Sequence, residues 1–524
     1  MESRKKNRAL IALICIMLGL LLAVAAWNVP LTWRALKATF RSDDPGLLTF
    51  EDALETRLYD SFSLKNHFIN LNGWLAAQLD QTTCNEIIKL KNGMLTAFTE
   101  KKDMSPMAER IVEFRDYLTD LGIEFLYVQP PVKVDLEQRL LPDGIETYGN
   151  ADAGDLVSSL EASAVHVLDV RDDFAATPER SEKYFYRTDM HWNITAGFEC
   201  AQLINQQIQR LFPEIEFDFR NADLSQWDVQ ILKDWMLGLH GWRTGLYYGG
   251  VEDVVYYLPK FETDDMLCMM PNEIVRYKGP FDRSIMHDDF SGRQPDYFNE
   301  SLYGMYIGNN APLTILRNPN APNDLRIVFF KDSFILPVAA CLSTVYREID
   351  LIDPRFDPSA SIAEYVRYYK PDLVIQLAYP QTLVVSSEEY VFGTAEARAK
   401  DFDLRRSVIN PQDISASGDA PGFTALPLSL QPNQTYLLHF EDVGFTGEAA
   451  EIVAVALNDA DTGKVIDAFS FDVAYARENE DFQWLFTVPE EAGTSLEMRF
   501  CAGIPEKFVD GEAVYRGVQL DAIG

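Results

Sequence analysis

Short unbroken apolar runs punctuate the chain up to about residue 400: IEFLYVQPP near 123–131, VHVLDV at 165–170, LRIVFF at 325–330, EIDLID at 348–353 and DLVIQLAY at 372–379. They alternate with stretches of helical periodicity, so they read as strands buried on both faces. That predicts an α/β fold with a doubly wound parallel sheet over about 45–405. From about 215 to 310 the rhythm breaks into many Trp, Tyr, Asp and Gly residues, which reads as an insertion or lid over the sheet. Residues 406–424, ending in INPQDISASGDAPGFT, have the Pro, Gly, Ser and Asp content of a linker. Beyond them the period changes to two in TYLLHFEDV, EIVAVALND, FQWLFTVP, LEMRFCAG and YRGVQL, which predicts a helix-free all-β sandwich over 425–524.

The amino terminus follows a different rule. MESRKKNR forms a basic stub, 1–8, before an uncharged apolar run from Ala9 to Trp27. A run of that length can cross a hydrocarbon core of about 30 Å, which takes roughly 20 helical residues. Residues 9–28 are therefore expected to be a transmembrane anchor, with the basic stub cytosolic and the rest extracytoplasmic. A cleaved signal peptide is the alternative, since Ala23-Val24-Ala25 resembles a peptidase site. Either way the remaining chain is exported.

A length of 524 residues calls for two or three cores. The net charge of −34 disfavours nucleic acid and polyanionic ligands, leaving neutral glycans and small molecules. Six scattered cysteines without a CxxC pair exclude a zinc ribbon and a dense disulfide scaffold.

Candidate chemistry sits in two segments. In YFYRTDMHWNIT, Asp189 and His191 share a face only where the chain is extended. A helix is predicted just after them, from Ile194, Phe198, Ala201, Ile204, Ile208 and Leu211, with Asn193 or Thr195 as its N-cap. Its positive end keeps an imidazole neutral and basic. In IVFFKDSFILPVAACL a buried strand runs into Lys331-Asp332-Ser333 and then an apolar helix that tolerates Pro337 in its first turns. Ser333 thus falls at the carboxyl edge of the sheet, where its helix's free N–H groups can stabilise an oxyanion. Nucleophilic Ser333, base His191 and orienting Asp189 make a complete acyl-transfer set if folding brings them together. The bland readings are a capping serine and a structural Asp-x-His; metal binding by Asp189 and His191 lacks a histidine pair at helical spacing.

YRTDMHWNITAG resembles the Asp-x-His-Trp signature of the DHHW family and the related alginate O-acetylation proteins, which belong with the SGNH hydrolase-like acyltransferases. LKNGML at 90–95, LYVQPPVK at 126–133, MYIGNN at 305–310, FFKDSFILPVAACL and EIDLIDPRF at 348–356 agree in the same order. The resemblance implies an SGNH-like sheet domain and an acetyltransferase with Ser333 as nucleophile, His191 as base and Asp189 as orienter. It implies Asn309 and Gly308 as oxyanion or substrate donors, and it matches Arg355, for which a structural ion pair is the simpler role. Trp192 reads as packing behind the histidine, with a sugar platform as the alternative. The substrate implied is a cell-surface or secreted polysaccharide, with no cofactor, an acetyl group supplied by a membrane-bound O-acyltransferase partner, and a terminal sandwich acting as a carbohydrate-binding module. A carbohydrate esterase with the same triad and a non-catalytic glycan-binding scaffold are the other readings. Two departures stand out: Lys331 replaces a glycine before Asp-Ser, and Met190 stands where the DHHW name has His.

Overall fold

In the computed structural model, the described residues are 62 and 64–524, except 216–218, 309, 357, 386–389, 418–421, 448, 494 and 504–510, plus scattered positions between 19 and 37. Among them no helix is long and apolar enough to cross a membrane. Most of the expected anchor, 9–28, lies outside the described residues.

The apolar runs form one eight-stranded sheet: β1 (Glu124–Gln129), β2 (Val167–Asp169), β3 (Met266–Met270), β4 (Val275–Gly279), β5 (Leu313–Arg317), β6 (Arg326–Lys331), β7 (Glu348–Ile352) and β8 (Leu373–Leu377). Their order is β2-β1-β8-β6-β7-β5-β3-β4. The first five are parallel, in agreement with the expected sheet. The other three pair antiparallel, so the sheet is mixed rather than wholly parallel. β3 and β4 come from the segment expected to be a lid. That segment therefore builds part of the sheet as well as covering it, because MLCMM is a fully buried run paired on both sides, with β5 and with β4 at the edge.

Alternate residues of the central strands feed two cores. Ile327 and Phe329 of β6 pack with Ile204 and Ile208 of the helix Ile194–Leu211. Val328 and Phe330 pack on the other face with Phe114, Leu156 and Val366 from helices at Ser105–Asp120, Gly149–Ala162 and Ile362–Tyr369. This is the doubly wound arrangement, set by the two-residue period of strands.

The second core runs on without interruption into the carboxyl-terminal sandwich, through Trp484, Phe486, Phe500 and Tyr515. The sandwich has a five-stranded and a four-stranded sheet. Two expectations are corrected. Arg405–Ser417, inside the stretch read as a linker, is a strand paired along Gly511–Ile523, because its alternating Ile414 and Ala416 are buried. Among its described residues the sandwich also holds a short helix, Val473–Asn479, capped by Asp472. The five described cysteines are free and buried.

Sheet domain and sandwich are joined by a buried carboxylate. Glu364, 2% exposed, forms a capping box with Ser361, pairs with Lys400, and accepts from Thr435 Oγ1 at 2.6 Å and Thr487 Oγ1 at 3.3 Å in the sandwich. Burial alone would raise its pKa, but the Lys400 ammonium and the Thr435 hydroxyl outweigh that and hold it below the usual glutamate range. Glu364→Ala leaves Lys400 without its buried partner and is expected to cost about 3 kcal/mol. Glu364 titrates lower in the folded chain, so its contribution is present above the ordinary glutamate pKa and disappears as acid protonates it. Thermal midpoints of both proteins against pH check this: the gap should close on acidification.

Candidate active site

Two helices of distant origin cross closely enough to set the site. A Cβ on Gly197, in the helix Ile194–Leu211, would lie 2.6 Å from Pro337 Cβ in the helix Leu336–Leu342. Only glycine allows that approach. The crossing aligns the start of one helix, preceded by His191, with the start of the other, preceded by Ser333.

Before the first helix the chain makes a tight loop. Phe185 bridges Trp192, Tyr186 N–H donates to His191 O at 3.2 Å, and Asn193 N–H to Tyr184 O at 2.8 Å. Asn193 then caps the helix through Thr195 N–H and Ala196 N–H, as expected. Within the loop Asp189 Oδ1 meets His191 Nδ1 at 2.6 Å, and His191 Nε2 meets Ser333 Oγ at 2.7 Å across 142 residues. Asp189 has no exposure and His191 has 5%, whereas Ser333 is partly open to solvent. The three expected residues are therefore brought into one hydrogen-bonded line with only its serine end reachable.

Asp189 is ionised against the odds of its position. Burial pushes its pKa up, but the imidazole charge, the bond to the ring, and the N–H groups of Leu239 and His191 outweigh it, leaving the carboxyl far below its usual range. Leu239 donates to Oδ2 at 2.8 Å from the insertion. The approach requires Gly238, where a Cβ would sit 2.4 Å from Asp189 Cβ. From below, the buried Lys133 donates to Leu95 O at 2.6 Å and to the Asp189 carbonyl. Burial pushes the Lys133 ammonium down to about 8.

The turn that carries Ser333 is equally fixed. Asp332 accepts from Phe334 N–H at 2.9 Å and Tyr379 N–H at 2.7 Å, Tyr303 hydroxyl donates to Ser333 O at 2.8 Å, and Trp192 Nε1–H donates to Phe334 O at 2.8 Å. Asp332 thus consumes the Phe334 N–H, one of the donors expected to face an oxyanion. Tyr303 also stacks on His191, ring centroids 3.7 Å apart and 9° from parallel.

The remaining expected residues fall elsewhere. Trp192 is fully buried and braces the serine turn, so it cannot be a sugar platform. Arg355 grips Asp353 through two bonds, at 2.8 and 2.7 Å, and so makes a structural ion pair. Gly308 adopts φ +83°, and a Cβ there would meet His287 at 2.8 Å; Asn309 lies outside the described residues. Lys331, the departure from glycine, sends its ammonium into the core, to Asp353 at 3.1 Å and Asn310 at 2.8 Å. Its charge is thereby matched away from the serine. Lys133, Tyr303, Gly238 and Leu239 were not singled out from sequence; Lys133 alone carried a signal, as the polar end of LYVQPPVK.

Residues 90–229 match the SGNH hydrolase-like domain of the acetyltransferase AlgX. The matched stretch includes Asp189 and His191 and ends before Ser333. Among solved structures it is similar to Bacillus cereus PatB1, with 18% identity over 57% of this chain and 96% of that one, at a TM-score of 0.49. It is also similar to a DHHW family protein from Eubacterium siraeum, with 15% identity over 60% and 96% at 0.44. The third is Pseudomonas aeruginosa AlgX, with 11% identity over 84% and 94% at 0.36. No curated protein was found to match the chain.

Gly238→Ala should displace the Asp189 carboxylate and slow acylation of Ser333 by a chromogenic acetyl ester roughly 10²-fold, with the fold retained by circular dichroism. Lys133 titrates lower folded than unfolded, so between about pH 8 and 10 the unfolded chain binds more protons and stability rises with pH. Thermal midpoints of wild type and Lys133→Met measured across that window should diverge in favour of wild type as pH increases.

Proposed function

We propose that this chain is an extracytoplasmic O-acetyltransferase that moves acetyl onto hydroxyls of a polysaccharide by way of an acetyl-serine. The observation that carries the reading is the unbroken line from Asp189 through His191 to Ser333, at 2.6 and 2.7 Å. Ser333 Oγ attacks the acetyl carbonyl while His191 Nε2 takes its proton, and the buried Asp189 stabilises the resulting imidazolium. The tetrahedral adduct collapses, the donor's leaving group departs with the proton from His191, and acetyl-Ser333 remains. A sugar hydroxyl then gives its proton to His191 and attacks the ester. Collapse releases the acetylated sugar and returns the proton to Ser333. Tyr303, stacked on the imidazole, keeps the ring in the plane both steps need.

The acetyl donor would come from a membrane-bound acyltransferase, with this chain held at the membrane by its amino-terminal segment. The net charge of −34 favours a neutral glycan as acceptor. Because Ser333 is partly exposed, water can compete as acceptor, which would make the same site an esterase.

Purified protein incubated with a chromogenic acetyl ester and neutral oligosaccharides should release chromophore and add the mass of acetyl to the sugar. Ser333→Ala and His191→Ala should each lower the rate by roughly 10³-fold or more. Acetate release without sugar acetylation would assign the esterase, and equal rates for wild type and Ser333→Ala would sink the triad.

A further inference from the structure

At the sheet edge away from Ser333, a cavity of about 240 Å³ lies between the sheet domain and the sandwich. Arg326, Ile327 and Val328 at the start of β6 line it, and Ser333 follows the other end of that strand, so at roughly 3.3 Å per residue the two sites stand about 20 Å apart. Clefts between domains are favoured ligand sites.

The polar groups around this cavity divide into two sets. One is internally satisfied: Arg317 bonds Asp350 at 2.7 Å and the Tyr475 hydroxyl at 2.8 Å, Tyr365 hydroxyl donates to the other Asp350 oxygen at 2.9 Å, and Asp472 pairs with Arg276. The other set is not. Glu348 from β7 and Asp481 from the sandwich both line the space, and neither carboxylate has a hydrogen bond or ion pair among the described residues. Two acceptors facing one cavity from opposite domains call for a ligand rich in hydroxyl donors. Burial pushes the Asp481 carboxyl up to about 7, so near neutrality it both donates and accepts.

Charge and shape narrow the ligand further. Arg317 and Arg326 offset the charges of Asp350 and Glu348, and Arg276 pairs with Asp472, so with Asp481 protonated the lining offers no excess charge, and with Asp481 ionised it repels an anion. Rings line opposite sides: Tyr365 and Tyr369, 4.3 Å apart, from the sheet domain, and Phe469 and Phe471, 5.1 Å apart, from the sandwich. Hydroxyls around an apolar ring face describe a sugar. We propose that this interdomain cavity binds one uncharged sugar unit of a glycan. A glycan held there would be anchored on the opposite sheet edge from the serine, at a point that belongs to both domains. The binding does not depend on acetyl transfer.

The test is calorimetric titration of the full chain carrying Ser333→Ala, which cannot turn over, with maltotriose, cellotriose and mannotriose, and with trigalacturonate as the anionic control. At least one neutral trisaccharide should bind, and Asp481→Asn or Glu348→Gln added to that chain should weaken binding about tenfold or more, as loss of a buried partner does. Thermal midpoints should confirm that the isosteric variants remain folded. Absence of neutral-sugar binding up to about 10 mM, preference for trigalacturonate, or binding indifferent to both substitutions would overturn the proposal. Because catalysis is switched off throughout, failure of the acetyltransferase reading is scored separately by the ester assay.

Discussion

A carboxylate with no access to water, Asp189, is the group around which the site is arranged. Its ionised form survives only because donors arrive from three directions: the imidazole and backbone of its own loop, and the Leu239 N–H of the insertion. Each donor constrains an element. The loop must close tightly between Phe185 and Trp192, and the insertion must approach through Gly238. Lys133 fastens the Asp189 carbonyl from beneath, so a buried cation and a buried anion hold the same short turn from opposite sides. The same logic governs the serine side, where Asp332, Tyr303 and Trp192 hold the Ser333 turn in place.

The central strands were legible in the sequence because burial on both faces erases polar alternation, and an apolar run as short as LRIVFF between helical stretches fits a buried strand better than a helix. Ser333, His191 and Asp189 were legible because each sits at a helix start whose periodicity follows in the chain. The mixed edge of the sheet was not. Met266–Met270 is buried along its whole length and Val275–Gly279 is half-buried to exposed, so neither shows a two-residue pattern, and antiparallel pairing leaves no local trace. The first strand of the sandwich was mistaken for a linker for a related reason. Pro411 and Ser417 belong to a bulged strand, and bulges take residues that otherwise mark turns. Tyr303 was invisible because its value lies in a ring contact with a residue 112 positions earlier in the chain, which no periodicity encodes.

Lys331 shows how a departure from a family pattern is absorbed. A side chain where glycine is expected would threaten the serine turn only if it pointed there. Instead its ammonium runs to Asp353 and Asn310, and Asp353 is held in turn by Arg355. A buried lysine with one carboxylate would be costly, but the added guanidinium and amide complete a network in which every charge has a partner. The lysine that departs from the motif and the arginine that matches it are thus two arms of one ion-pair network.

Strand order has a consequence for how the protein is made. β8, at Leu373–Leu377, sits between β1 and β6, so the two earliest strands of the sheet can join the rest only after most of the chain has emerged. Loop closure over such a separation is slow, and until it occurs the apolar faces of β1 and β2 have no permanent cover. For a chain exported as proposed, late completion is an advantage: the segment needed to lock the sheet arrives after the transport machinery has handled the others.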